Sequence, residues 1–279
     1  DAKVFYPVTR SGRFMEVKAY FEGEAKEEAQ PHIEEASQKI LECEGFDELE
    51  DILADCATEL LRIAGGEGGE DDIRNVLRGE DFTGDPVAEL RASVAAARGE
   101  RPWTPALAVA LAFRDTYDAV IDRASYGGRH TLGGKDFDAF VSTLERVGFG
   151  PPVESAQIML ELLDEGRIRT ELVARGEEDL RDLAEEVGAT VIIDAVQAPP
   201  GIVEGTLVGN LVEAGIGLRY ADTDALHVKP DATLVGQKHL AAAGRMNEGL
   251  VLGHDTLKRT KQHGIERWAD RVSAAAAEH

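Results

Sequence analysis

The chain is short of several things at once. It has only 2 cysteines, Cys43 and Cys56, in 279 residues. They form no Cys-x-x-Cys pair and no disulfide framework, so both are expected as reduced thiols in a helical core. Lysine is scarce too: 9 of the 30 basic residues, the other 21 being arginine. No apolar run reaches the ~18 residues of a membrane-crossing helix, and no signal peptide opens the chain. Asp1 is not preceded by Met. An initiator Met ahead of Asp is not normally trimmed, so the N-terminus is expected to be internal to a longer protein. The 7 histidines lack HExxH or any other tight spacing, so no metal site is expected. Nothing resembles G-x-S-x-G or a Cys–His pair, so nucleophilic catalysis has no support and no catalytic residue can be named.

What is abundant is acid. There are 53 Asp and Glu against 30 Lys and Arg, a formal charge of −23 and a pI near 4.7. That balance argues against nucleic acid or an anionic membrane bound through a broad basic face. Excess carboxylate with little lysine keeps a protein hydrated in concentrated salt, so a halophilic, cytoplasmic origin is expected. An acidic nucleic-acid mimic would gather its carboxylates on one face, whereas here they are spread along the sequence. With 43% hydrophobic residues the chain can bury a sizeable core in one large domain or two smaller ones.

Three parts are expected. Residues 1–23 form a strand and turn segment packing with the C-terminal portion. Residues 24–135 form a helical domain, in which Pro31 is read as starting a helix and Leu49, Ile52, Leu53, Cys56, Leu60 and Leu61 make an apolar stripe. The run Gly65-Gly66-Glu67-Gly68-Gly69 follows a helix and has no phosphate-loop spacing, so it is read as a helix break. Residues 136–279 form an α/β portion. Strands are expected at 167–172, at 189–195 (ATVIIDA, a buried-strand pattern) and at 240–243, with a hairpin at 226–228 and 233–235 and a last helix over 255–276. The fold class is thus mixed α/β: a largely helical N-terminal half and a C-terminal α/β portion.

The stretch Gln237–Thr256 has the order strand, glycine loop, helix N-terminus, which lets backbone N–H groups approach a polar or anionic ligand. Arg245 is a candidate contact to an anion. His254 could move a proton, and Asp255 can cap the last helix. Near the start, Arg10-Ser11-Gly12-Arg13 sets two guanidiniums around a glycine, another candidate anion contact.

Several short segments, in order, resemble the FAD/NAD(P)-binding flavoproteins that carry a helical insertion in a Rossmann FAD domain. They are Glu165-Gly166-Arg167-Ile168, Val191-Ile192-Ile193-Asp194-Ala195, Leu207 to Gly217, His227-Val228 with Pro230-Asp231, Leu240 to Asp255, and the Arg10–Arg13 turn. The resemblance spans the first 20 residues and those from about 160 onward; the helical middle matches no motif. It implies that the C-terminal portion is the closing part of a Rossmann-type flavoprotein, haloarchaeal-like in composition. FAD would then be the cofactor, with Gly244, Arg245, Gly249, Gly253, His254, Asp255, Thr256, Arg10 and Arg13 contacting it. The departures are specific. No G-x-G-x-x-G follows a strand, no ribose-binding acid follows about 20 residues later, and Asp194-Ala195-Val196-Gln197 replaces the family's threonine-glycine. The expected function is therefore part of an FAD-dependent, NAD(P)-linked oxidoreductase. The chain would supply the substrate-side helical domain and the loop and helix over the flavin ring. An FAD-binding domain or subunit would lie N-terminal to it, and the partner in the reaction would be a small-molecule substrate. A fragment, a separate subunit and a degenerate relative all remain open, as does NADH against NADPH. The alternative is a non-catalytic helical interaction or scaffold protein of a halophile with a vestigial α/β half.

Overall fold

The computed structural model describes residues 3–9, 12–176, 178–193, 195, 200–221, 223–253 and 263–277. Among the described residues helix takes 54% and strand 3%. The chain divides into two compact units, Asp1–Tyr117 with Gly133–Asp194, and Asp118–Leu132 with Ala195–His279.

The first unit is helical because its apolar residues recur at 3–4-residue spacing. Helix α1 (Gly23–Glu42) buries Ala29, Ile33, Ala36 and Ile40. It packs on α2 (Phe46–Ile63), which buries Leu49, Ile52, Leu53, Cys56, Leu60 and Leu61. Pro31 lies inside α1 rather than at its start. The Glu, Ala, Lys and Gln residues at 24–30 are strong helix formers and carry the helix across the one N–H that proline lacks. Cys43 and Cys56 are both buried, and neither is in a disulfide. Helix α3 (Glu70–Arg78) stops at Gly79, whose φ of 73° is the left-handed conformation that a helix C-terminus uses. Helix α4 (Pro86–Ala97) starts on Asp85, whose Oδ1 accepts the Val87 and Ala88 N–H groups at 3.0 Å. Helix α5 (Pro105–Ala124) buries every residue from Leu107 to Phe113. After α6 (Gly128–Thr131), a short helix of the second unit, α7 (Lys135–Gly148) packs on α3, and α8 (Val153–Asp164) packs on α4. Helix α9 (Leu180–Glu186) completes this unit.

An extended segment, 13–19, is threaded among these helices. Val17 and Ala19 join Leu90, Val94, Leu107, Ala156 and Leu160 in one buried cluster. The segment's backbone is tied to its neighbours: Glu16 N–H to Arg146 C=O at 3.3 Å and Lys18 N–H to Pro151 C=O at 3.0 Å. Arg114 donates to the Ala19 carbonyl at 2.6 Å and lies over the Tyr20 ring.

The expected α/β portion is not formed. Among the described residues there is no sheet, only four isolated bridges: Phe5 with Ile168 in parallel, and Arg219–Leu226, Val228–Leu234 and Thr233–Ala241 antiparallel. The apolar run at 189–193 is extended but unladdered, and Val191 and Ile193 are 71% and 74% exposed. Strand propensity needs paired neighbours to satisfy the backbone, and among the described residues none is laddered to this run. The expected strand at 240–243 shrinks to one bridge at Ala241. The hairpin at 226–235 survives as a tight turn, with Lys229 N–H bonded to Thr233 C=O at 2.8 Å.

The second unit is built mainly from turns around Ala225, Leu226, Val228, Leu234, Leu250 and Val251. It carries α10 (Leu207–Glu213) and α11 (His263–Ala277).

Gly150 shows how tightly segment 13–19 is held. A Cβ there would sit 1.6 Å from the Glu16 carbonyl oxygen. Gly150→Ala must push the segment aside, with an expected loss of about 2–3 kcal/mol in stability, the upper range for overpacking. Equilibrium urea unfolding measures it, and an unshifted midpoint would show that the segment is loosely held.

Candidate functional site

The first unit buries charge. Arg13 is only 8% exposed and is gripped on three nitrogens. Nη1 and Nη2 donate to the two oxygens of Asp81 at 2.6 and 2.9 Å, and Nε donates to Glu89 Oε2 at 3.1 Å. The fork-to-carboxylate geometry with Asp81 is the bidentate one that arginine makes best. The other oxygen of Glu89 accepts the Thr83 N–H and hydroxyl at 2.8 and 3.0 Å. The Phe82 ring lies under the guanidinium, 5.2 Å away. Burial works against the charge of Arg13, but the hydrogen bond and charge of Asp81, then the charge of Glu89, outweigh it and hold the pKa above the ordinary value.

Three residues along the segment stands Glu16. Its Oε1 is out of solvent and accepts no hydrogen bond. Burial pushes the carboxyl up to about 7. The Ser93 hydrogen bond and the charges of Arg146 and Arg13 pull the other way, and Asp81 adds to the rise. Arg146 is partly buried, with its Nη2 4.0 Å from Asp81 Oδ1 and no hydrogen bond on that nitrogen. Burial, then the like charge of Arg13, lowers its pKa. The cluster therefore contains three carboxylates, Glu16, Asp81 and Glu89, and two guanidiniums, Arg13 and Arg146. One carboxylate is left without a cation of its own, and Glu16 meets that deficit by holding a proton.

Arg13, Glu16, Asp81, Glu89 and Ser93 line a cleft of about 430 Å³, together with Arg101, Trp103, Glu67 and Asp72. The glycine run at 65–69 has a packing role in its wall. A Cβ on Gly66 would come within 2.8 Å of the Trp103 carbonyl, and one on Gly68 within 2.8 Å of Pro105 Cγ. Trp103 is fixed by a parallel stack on Phe21, with centroids 4.7 Å apart. A carboxyl titrating near neutrality in a cleft can give or take a proton at physiological pH.

The residues read from the sequence as cofactor contacts fall elsewhere. Gly244, Arg245, Gly249 and Gly253 share one turn-rich loop of the second unit, and all three glycines have positive φ. The loop closes on itself. The N–H groups of Asn247, Glu248, Leu250 and Val251 bond to carbonyls of Gly244, Arg245 and Asn247, and that of Leu252 bonds to the Ser125 hydroxyl. Asn247 is fully buried and donates to the Ala242 carbonyl, and Arg245 lies 3.5 Å from Glu248. Arg13 belongs to the first unit, committed to carboxylates. Arg10, His254, Asp255 and Thr256 lie outside the described residues. Among the described residues no group of His, Cys, Asp and Glu converges as metal ligands, and no helix is long and apolar enough to cross a membrane.

Sequence reasoning passed over Glu16, Asp81, Glu89, Ser93 and Arg146. Glu16 reads as one polar position in an alternating segment, and its partners are scattered far along the chain. In comparison with known proteins, no family model, curated protein or solved structure matches this chain.

The raised pKa of Glu16 has a signed consequence. The unfolded chain ionises near the ordinary glutamate value of about 4.5, while the folded chain holds the proton to about 7. Between these values the folded state binds more protons, so this residue's contribution to stability falls as pH rises. Glu16→Gln keeps the neutral shape and removes the decline. The variant is expected to gain on the parent by about 2 kcal/mol between pH 5.5 and 8. Urea unfolding of both proteins across that range checks it, and parallel pH profiles would place the Glu16 pKa near its ordinary value.

Proposed function

We propose that this chain is the substrate-side part of an FAD-dependent, NAD(P)-linked oxidoreductase of a halophile's cytoplasm. On this reading the first unit holds a small-molecule substrate in the Glu16 cleft. The observation that carries the reading is that cleft: a proton-exchanging carboxyl in a walled cavity, within the helical unit that a substrate side would need. The flavin half of the reading rests on the order of short segments that resemble the flavoproteins.

FAD does not fit the described residues by themselves. No G-x-G-x-x-G is present, the parallel sheet that would carry it is absent from the described residues, and the N–H groups of the Gly244–Gly253 loop are largely spent within the second unit. The cofactor would be held by an FAD-binding domain or subunit outside these residues, and flavin would supply the redox chemistry. Val191, Ile192 and Ile193, apolar and exposed, are the kind of surface that a partner covers. This chain's own part would be to bind and orient the substrate. Glu16 would exchange a proton with it, and the Arg13–Asp81–Glu89 lock would keep the carboxyl in place.

The second reading is a non-catalytic helical interaction protein. What favours it is the same exposed apolar run, which asks for a partner whether or not flavin is involved. The two part on one measurement. The tagged full chain, isolated with its partners from native cells, is expected to carry the visible absorbance of oxidised flavin, which NADH or NADPH bleaches. The same chain alone is expected to take up no FAD. A colourless native complex would overturn the oxidoreductase reading and leave the interaction protein.

A further inference from the structure

We propose that the groove beside the apolar run of the first unit takes an extended strand of a partner protein, an apolar segment carrying a carboxylate, hydrogen-bonded to the backbone of both groove walls. Both functional readings expect a partner over this run. The proposal states what that partner presents there and depends on neither reading.

The walls are two stretches of chain with unspent backbone groups. On one side, residues 3–7 are joined to 167–169 by Phe5 alone. Its N–H donates to the Arg167 carbonyl at 2.8 Å, and its carbonyl accepts the Arg169 N–H at 2.9 Å. Successive residues of an extended chain turn these groups to opposite sides, so those of Val4 and Tyr6 are turned away from 167–169. Among the described residues they have no backbone partner. On the other side, the Ala189 N–H bonds to the Ala184 carbonyl at 2.8 Å, and beyond it the backbone of residues 190–193 makes no hydrogen bond among the described residues. Both stretches line one groove of about 770 Å³. Val191 and Ile193 line it and Ile192 between them does not, the period of two that an extended chain shows.

Water satisfies these backbone groups while the groove is open, so filling it gains chiefly from the apolar side chains. Phe5, Val191 and Ile193 are exposed, and Met159 and Ile168 line the groove with them. A strand covers those side chains and replaces the water on both walls at once, the exchange on which strand addition to a sheet edge depends. A rounded small molecule would cover the side chains and strand the backbone.

The occupant's charge follows from what the lining lacks. The chain has 53 acidic residues, yet none is among the described residues of this lining, whose one charged member is Lys3. Lys3 has no ion pair among the described residues. A carboxylate on the incoming strand gives it one, and a basic strand does not. A second copy of this chain is the poorer occupant, because it would bring a further formal charge of −23 against the first.

The test uses the full chain and a capped peptide of alternating valine and threonine between two terminal glutamates, followed by isothermal titration and by residue-level amide exchange. Binding is expected, with exchange slowed at Val4, at Tyr6 and within 190–193, and little changed at Phe5, whose N–H is already bonded. N-methylation of the peptide on its odd or on its even residues blocks one edge at a time, and each should weaken binding about tenfold. Val191→Pro, at an exposed residue with no backbone bond to lose, should weaken it by a similar factor once circular dichroism shows the variant folded. A peptide ended in lysines should bind about threefold more weakly than the glutamate peptide, and Lys3→Glu should reverse that order. No binding up to about 1 mM, an affinity that N-methylation of either edge leaves unchanged, or a glutamate preference that survives Lys3→Glu would each overturn the proposal. So would exchange at 190–193 that slows without peptide as the chain's own concentration rises, the mark of a second copy in the groove. Flavin does not enter these measurements. A chain that binds the peptide but is isolated from native cells without flavin sinks the oxidoreductase reading alone, and a flavin-bearing complex whose chain binds no strand sinks this one alone.

Discussion

A buried guanidinium has to be paired, and the pairing of Arg13 is the constraint from which the first unit's site follows. With Asp81 and Glu89 on three of its nitrogens, Arg13 ties the threaded segment to the turn after α3 and to the first turns of α4. Breaking such a pair leaves bare charge in a low-dielectric place and costs several kcal/mol. The segment's register is therefore fixed, and with it the position of Glu16 three residues on. Gly150 and the carbonyls of Arg146 and Pro151 hold the other side. Glu16 is thus presented to the cleft by a backbone with little room to move, which is what a proton-exchanging group requires.

How much of this was legible depends on the range of the interactions. Helices were legible because their stripes are local. The six apolar positions read from the 3–4-residue spacing of α2 are all among its nine buried residues. Pro31 misled because a propensity rule for one residue was outweighed by the seven helix formers ahead of it. The ion cluster was not legible. Arg13 was noticed only as a basic residue in a glycine turn, and a neighbouring arginine suggested an anion. Its true partners, Asp81 and Glu89, lie 68 and 76 residues away. Nothing in single-sequence periodicity reports a pairing at that distance.

The strands failed for a different reason. A run such as Ala189 to Ile193 has the composition of a buried strand, but composition states only what the segment would do beside a partner strand. Among the described residues the one parallel bridge is Phe5 with Ile168, and the run is extended with its isoleucines in solvent. Lys3 to Pro7, Ile168 and Val187 to Ile193 surround a groove of about 770 Å³. Exposed β-forming residues bordering a groove are costly in water.

The burial of Arg13 also bears on why the cluster exists. In a chain with 30 basic residues against 53 acidic ones, basic residues are scarce, and Arg13 is placed where its charge is expensive. A buried ion cluster is weak evidence for stability, because well-packed apolar residues of the same volume often do as well or better. Had stability been the only demand, Arg13, Asp81 and Glu89 could be replaced together by such residues, and Glu16 by a leucine. What an apolar core could not provide is a carboxyl held near the middle of its titration at neutral pH, raised first by its burial and restrained by Ser93, Arg146 and Arg13.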